Sequence, residues 1–147
     1  MWQLELKRYF FPETFVKARK EHISSQDKEA RACPEFEITL AYGVNKAEKQ
    51  ILLNLTLTSV DLVDEDPYEF KVEVFGSFFL EHSEGVEELD DEFYENKKQI
   101  VRNCAQILVG SIRDHLLTIS AKAPFGPLYL DTTYIGLDNI PDEIEDE

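Results

Sequence analysis

The chain is poor in the residues that most often announce chemistry. Its 147 residues include 2 cysteines, 3 histidines, 1 methionine and 1 tryptophan. Two cysteines allow one bridge at most, and the unrelated surroundings of Cys33 and Cys104 favour a pair of cytosolic thiols over a disulfide framework. His22, His82 and His115 stand alone, none spaced with a cysteine as a zinc pair would be. G-x-G-x-x-G, a Walker loop, H-E-x-x-H and G-x-S-x-G are all missing. The chain reads as a non-enzyme, with no cofactor or metal expected. No apolar run approaches the length of a membrane span, so no membrane insertion is expected. The opening Met1-Trp2-Gln3-Leu4-Glu5-Leu6 lacks a basic n-region leading into an apolar h-region, which predicts a soluble, cytoplasmic protein. Basic residues are also scarce: 15 Lys and Arg stand against 30 Asp and Glu, a net charge of −15. Residues 61–147 hold 6 of those bases and 22 of the acids. Polyanionic nucleic acid would be repelled by this half, which argues against a nucleic-acid role.

What is present is a folded chain, 43% hydrophobic and 12% aromatic, long enough for one domain with one core. Four segments alternate apolar and polar residues, as half-buried strands do. Trp2, Leu4 and Leu6 open the first, which can run through Tyr9 and Phe11 to Phe15 if a bulge intervenes. Phe36 to Tyr42, Ile51 to Leu57 and Tyr68 to Leu80 form the others. The short polar turn from Gly43 to Lys49 makes strands two and three a hairpin. Lys17 to Cys33 is long enough for a crossover, with room for a helical turn. Phe10, Phe11, Phe75 and Phe79 fall opposite the main apolar stripes, hinting at a second buried surface that self-association would cover.

A helix comes next. Ile100, Cys104, Ile107, Leu108, Ile112, Leu116 and Ile119 recur at three- and four-residue spacing, the period of one buried face. Ala105, Gly110 and Ser111 are small enough for close packing. Asp90 or Asp91 can cap its start. Pro124, Gly126 and Pro127 then stop the helix, and Phe125, Leu128, Tyr129 and Leu130 continue with little polar relief. Such an apolar segment needs a cover. Strands first and helix last predict an α+β domain, a four-stranded antiparallel sheet packed by a long helix, over residues 1–139. Residues 140–147 read as an acidic tail, expected to be flexible.

Weaker candidates have plain structural readings. Glu87, Glu88, Asp90, Asp91 and Glu92 could meet a divalent cation, but they lack ordered ligand spacing and fit a solvated loop better. Arg113 and Asp114, with His115 beside them, fit a surface ion pair or cap better than a general base.

Residues 103–134 resemble the SecB family of protein-export chaperones. Cys104, Gln106, Ile107 and Leu108 match its Cys-x-(Asn/Gln)-Ile-Leu start, and Arg113 with Asp114 its base–acid step. Phe125, Leu128, Leu130 and Ile135 match the apolar positions further on. Arg8, Pro34-Glu35-Phe36, and Gly76 with Phe78 agree with its strand layout. The resemblance implies a homotetramer, a dimer of dimers, holding unfolded preproteins in a groove without catalysis or nucleotide. On that reading Phe10, Phe11, Phe15, Phe125, Leu128, Tyr129 and Leu130 line the client-binding groove, the alternative for each being plain core packing. A subset of the family protects an antitoxin polypeptide, and a non-chaperone adaptor on the same fold is a further alternative.

Three departures from the family pattern stand out. The second amphipathic helix expected near the C-terminus is replaced by the short acidic run from Gly136. A Pro near the start of the main helix and a Trp in the crossover are replaced by Ala105 and by Ala32 or Cys33. Of the positions that meet the translocase motor SecA through acids, Glu13 keeps the charge while Lys17 and Lys71 invert it. Such inversion works against binding a basic partner there.

Overall fold

The computed structural model describes residues 2–19, 33–131 and 135–141. The crossover expected between strands one and two falls largely in 20–32, and most of the acidic tail in 142–147; both lie outside the described residues. Four strands form one antiparallel sheet: β1 (Trp2–Ala18), β2 (Phe36–Asn45), β3 (Gln50–Ser59) and β4 (Tyr68–His82), in the order β1-β4-β3-β2. Strands β2 to β4 are a meander, and β1 closes the far edge beside β4. A short helix α1 (Asp91–Glu95) leads into the long helix α2 (Lys97–Ser120), and a 3-10 turn spans Leu137–Asn139. The α+β architecture expected from the sequence is the one observed.

Alternation decides which side of the sheet is the core. Ile51, Leu53, Leu55 and Leu57 of β3, and Phe70, Val72, Val74 and Phe78 of β4, are buried beneath the helix. Burying one such side chain is worth about 1.5–3 kcal/mol, so these strands cannot slip by one residue without losing the core. At Gly76 the sheet and the helix are in close contact: a Cβ there would lie 2.8 Å from Leu108 Cδ2. The close approach is thus made by a glycine of the sheet, whereas a Cβ on Gly110 of the helix would meet nothing within 4 Å.

Helix α2 buries Val101, Cys104, Ala105, Leu108, Val109, Ile112, Leu116 and Ser120. Two residues assigned to the buried stripe from spacing are exposed, Ile107 at 42% and Ile119 at 43%. Ile107 lies about 100° around the helix from Leu108, on the flank away from the sheet. Ile119 sits in the last turn, where Ser120 instead faces the chain that returns along the helix. The N-cap is Asp90, which accepts from Phe93 N but caps α1 rather than the long helix.

Strand β1 carries two irregularities, between Leu6 and Arg8 and between Phe10 and Glu13, where its pairing with β4 shifts by a residue. A bulge inserts a residue and turns the next ones to the other face. Phe10 therefore packs beside Phe75 on the outer face, ring centres 5.3 Å apart. Phe11 lies on the helix side, stacked on His115 at 3.8 Å, so it leaves the outer set in which the strand pattern placed it. Cys33 and Cys104 are both buried thiols with no disulfide between them. Among the described residues no helix is long and apolar enough to cross a membrane.

Candidate functional site

The segment after α2 is held along that helix by side chains spaced seven residues apart. Ser120 Oγ donates to Leu116 O at 2.5 Å and accepts from Leu128 N at 2.7 Å. Arg113 Nε donates to Leu130 O at 3.4 Å, and Gln106 Oε1 accepts from Ile135 N at 2.9 Å. Seven residues are nearly two helical turns, so 106, 113 and 120 share one stripe, and the connector runs back down it. Its extended backbone alternates: Leu128 and Leu130 are buried, while Tyr129 between them is 57% exposed.

Tyr68 fixes the bend that precedes this run. Its hydroxyl donates to Gly126 O at 2.6 Å and accepts from Phe125 N at 3.0 Å. Burial pushes the Tyr68 hydroxyl above its ordinary pKa, and the hydrogen bond from Phe125 N offsets only part of that rise. Gly126 adopts φ +82°, a conformation in which a side chain would be strained. The Tyr68 and Phe125 rings are 5.9 Å apart.

An open depression of ≈550 Å³ adjoins the connector, lined by Cys33, Pro34, Glu35, Phe36, Val60 and Asp131. The end of β1 is fastened nearby: Arg19 N donates to Pro67 O at 2.9 Å, and the Arg19 guanidinium donates to the carbonyls of Val63 and Asp66. Asp66, wholly buried, accepts from Val63 N at 2.9 Å and tightens the same loop. Large apolar side chains flank this end of the sheet, with Val63 at 42% exposure and Ile119 at 43%. The depression itself is mainly polar and carries the carboxylates of Glu35 and Asp131, with the apolar side chains around it.

The structure divides the seven residues expected to line a groove. On the connector Tyr129 is exposed, whereas Phe125 is half-buried against the core. Leu128 and Leu130 point into the core, so in this chain they hold the connector down and present nothing outward. Phe11 lies under His115, whose Nε2 is 2.9 Å from Thr14 Oγ1 and whose pKa burial lowers. Phe10 and Phe15, 43% and 42% exposed, stand on the opposite face of the sheet. Glu13, Lys17 and Lys71 do share that outer face. Glu13 sits directly opposite Glu73 in the register, and Lys71 Nζ at 3.5 Å from Glu13 relieves the pair of like charges.

The acidic loop contributes to a different constellation. Ligand atoms of His82, Asp90 and Glu92 lie within 4.8 Å of one another. Glu84 N donates to His82 Nδ1 at 3.1 Å, which leaves the ring proton on Nε2, 3.0 Å from Glu92 Oε2. A metal on Nε2 would need that proton on Nδ1, where the Glu84 N–H stands in the way. Asp90 Oδ1 meanwhile accepts from Trp2 Nε1 at 2.8 Å. That indole hydrogen bond holds the Asp90 carboxyl below its ordinary range. The group anchors the first strand to the first helix. Nothing in the spacing points to it, because Trp2 and Asp90 are 88 residues apart.

A four-stranded antiparallel sheet covered on one face by a long helix, with an extended return along that helix, is the SecB-like fold. The SecB-like chaperone Rv1957 of Mycobacterium tuberculosis, solved in complex with a ChAD peptide from the Rv1956 HigA1 antitoxin, superimposes with a TM-score of 0.56 at 12% identity. The match covers 87% of this chain and 86% of that one. A Streptococcus agalactiae protein of unknown function gives a TM-score of 0.49 at 18% identity, covering 90% of this chain and 99% of that one. No family model matches the chain, and no curated protein matches it.

Proposed function

We propose that this protein is a non-catalytic, cytoplasmic holdase of the SecB-like kind, binding non-native polypeptide and keeping it from folding or aggregating. The observation that carries this reading is the connector. Buried Leu128 and Leu130 lock an extended segment whose Tyr129 faces solvent, two residues before the Asp131 that lines the ≈550 Å³ depression. Burial of apolar client side chains against exposed side chains such as Tyr129 is worth about 25 cal/mol per Å², without requiring a particular sequence. Assembly as a homotetramer, a dimer of dimers, would repeat the site and raise the avidity for one long client. The client on this reading is an unfolded preprotein destined for export.

A second reading, a chaperone dedicated to an antitoxin, is favoured by one feature of the outer face. Lys71 neutralises Glu13 there, and Lys17 stands in register with Glu69. This leaves little unpaired acid for a basic motor such as SecA. That the Mycobacterium neighbour is bound to an antitoxin peptide supports the same reading.

Aggregation of a chemically unfolded model client, monitored by light scattering, tests the holdase. Suppression near one tetramer per client is expected, weakened in Tyr129→Ser; full aggregation at that ratio refutes it. A pull-down with SecA then separates the two clients, since the antitoxin reading expects no binding.

A further inference from the structure

We propose that the free edge of β2 takes an extended segment of a client polypeptide as a fifth, antiparallel strand, with one aromatic side chain of that segment seated over Gly43. This rests on the holdase reading and names the form in which a client is held. The first observation is the edge itself. The sheet ends at β2, and among the described residues no strand pairs with its far side. Val60 N donates to Glu35 O at 2.8 Å, which places that pair among the hydrogen-bonded ones. Bonded and non-bonded pairs alternate along an antiparallel ladder, so Glu37, Thr39, Ala41 and Gly43 are bonded to β3. The N–H and C=O groups of Phe36, Ile38 and Leu40 therefore point away from β3, a row of donors and acceptors for another strand.

The second is that this edge is unguarded. Proline, lysine and bulges are the usual shields of an edge strand. The opposite edge, β1, has all three: Pro12, then Lys7 and Lys17, and two shifts of register. Strand β2 has none of them. It pairs with β3 from Phe36 to Asn45 without a shift, and Glu37 is its one charged residue.

The third is a seat for one ring on the face away from the helix. A hollow of ≈250 Å³ opens there between Ala41, Gly43, Leu52, Asn54 and Phe75. Gly43 has no positive φ, and a Cβ on it would meet nothing within 4 Å. Neither backbone strain nor crowding therefore accounts for a glycine at this place. A ring on an adjacent strand stabilises a sheet by lying across such an edge glycine. The lining carries no charged side chain, and Asn54, whose Nδ2 donates to Glu73 Oε2 at 3.3 Å, keeps Oδ1 as an acceptor. An indole suits both, with apolar faces and one N–H donor. A second copy pairing here cannot supply the ring, because β2 turns only Glu37, Thr39, Ala41, Gly43 and Asn45 to this face. Two copies at −15 each also repel one another. A foreign strand carrying tryptophan fits. It lies in the plane of the sheet, apart from the connector, so edge and connector hold different stretches of one client.

Labelled peptides of about ten residues, read by fluorescence anisotropy against the full chain, test it. The probe alternates threonine and valine, with one tryptophan in place of a threonine near its start. With the tryptophan over Gly43, the third and fifth residues after it oppose Leu40 and Ile38. N-methylation of those two removes bonding N–H groups and should weaken binding at least ~10-fold. N-methylation of the second and fourth, whose N–H groups face away from β2, should leave binding unchanged. Gly43→Thr fills the hollow with a residue that strands accept, and should weaken the tryptophan peptide at least ~10-fold. A peptide with alanine for tryptophan should bind parent and variant alike. Equal binding by the two methylated peptides, or a Gly43→Thr variant that binds the tryptophan peptide as tightly as the parent, would overturn strand addition. So would a parent that binds no peptide yet still suppresses client aggregation. A parent that does neither would overturn the holdase reading as well.

Discussion

Replacing Ser120 by alanine tests whether the connector is held by the hydroxyl at the end of the helix. Ser120 is wholly buried, and its Oγ is the acceptor for Leu128 N at 2.7 Å. Removing it leaves a buried N–H without a partner, which costs about 1–3 kcal/mol. Leu116 O keeps its helical bond, so the donated half of the interaction costs little. Alanine is the better helix former by about 0.5 kcal/mol, leaving a net destabilisation of about 0.5–2.5 kcal/mol. For a chain of this size that is a drop of roughly 1.5–8 °C in Tm. Thr118 supplies the control: its hydroxyl also bonds back four residues, to Asp114 O at 2.9 Å, but on the exposed side. Thr118→Ala should stay within about 0.5 kcal/mol of the parent. Urea unfolding at fixed protein concentration, monitored by circular dichroism, measures both variants. If Ser120→Ala unfolds within about 0.5 kcal/mol of Thr118→Ala, the hydroxyl does not anchor the connector.

Gly76→Ala should destabilise by about 1–3 kcal/mol, because its Cβ would press on Leu108 at 2.8 Å; a double-mutant cycle with Leu108→Val should recover part of the loss, and additive losses would contradict the contact. Burial pushes the Cys104 thiol up to about 12, so a thiol reagent at neutral pH should leave it unmodified until the chain is unfolded in urea; rapid labelling of native protein would show the site to be open. Burial lowers the pKa of His115 below its ordinary 6.5. The unfolded chain therefore binds the extra proton first, and stability should fall as pH drops through 6.5 toward the folded value. His115→Gln should flatten that acid limb, read from urea midpoints across the range, and an unaltered slope would assign it to other groups.

Local pattern in the sequence carries a feature only while its cause is local. Ile51 to Leu57 and Tyr68 to Val74 alternate without interruption, so β3 and β4 can be read from the residues alone. The helix can be read too, but Ile107 and Ile119 match its period and are nevertheless exposed, because period does not say how wide a stripe the sheet covers. Pairing of β1 with β4 joins distant parts of the chain, from Trp2 with His82 to Ala18 with Tyr68, and nothing near Trp2 or Phe10 encodes it. The candidate site divides in the same way. Phe125 and Tyr129 are visible as apolar residues after a helix stop. That Leu128 and Leu130 turn inward comes from the alternation of an extended chain, once Ser120 and Arg113 are known to grip it. Gln106, Arg113 and Ser120 could have been found by their shared spacing of seven, a signal that polar residues on a helix seldom receive credit for.

The two irregularities of β1 behave like a frameshift and its suppressor. Even-numbered residues Trp2, Leu4 and Leu6 lie on the helix side, and even-numbered Thr14, Val16 and Ala18 pair with the buried positions of β4 again. Only the few residues between the two shifts are read in the other phase. That window turns Phe10 outward beside Phe75 and Phe11 inward under His115. A strand paired straight through from Trp2 would keep both its ends on their present faces, yet carry Phe10 inward and Phe11 outward. It would also slide Thr14 to Ala18 two residues along β4 and pull Arg19 away from Pro67, to which it is now bonded. The clasp at Arg19 thus sets the reading phase of the strand, and decides from a distance which phenylalanine the outer face displays.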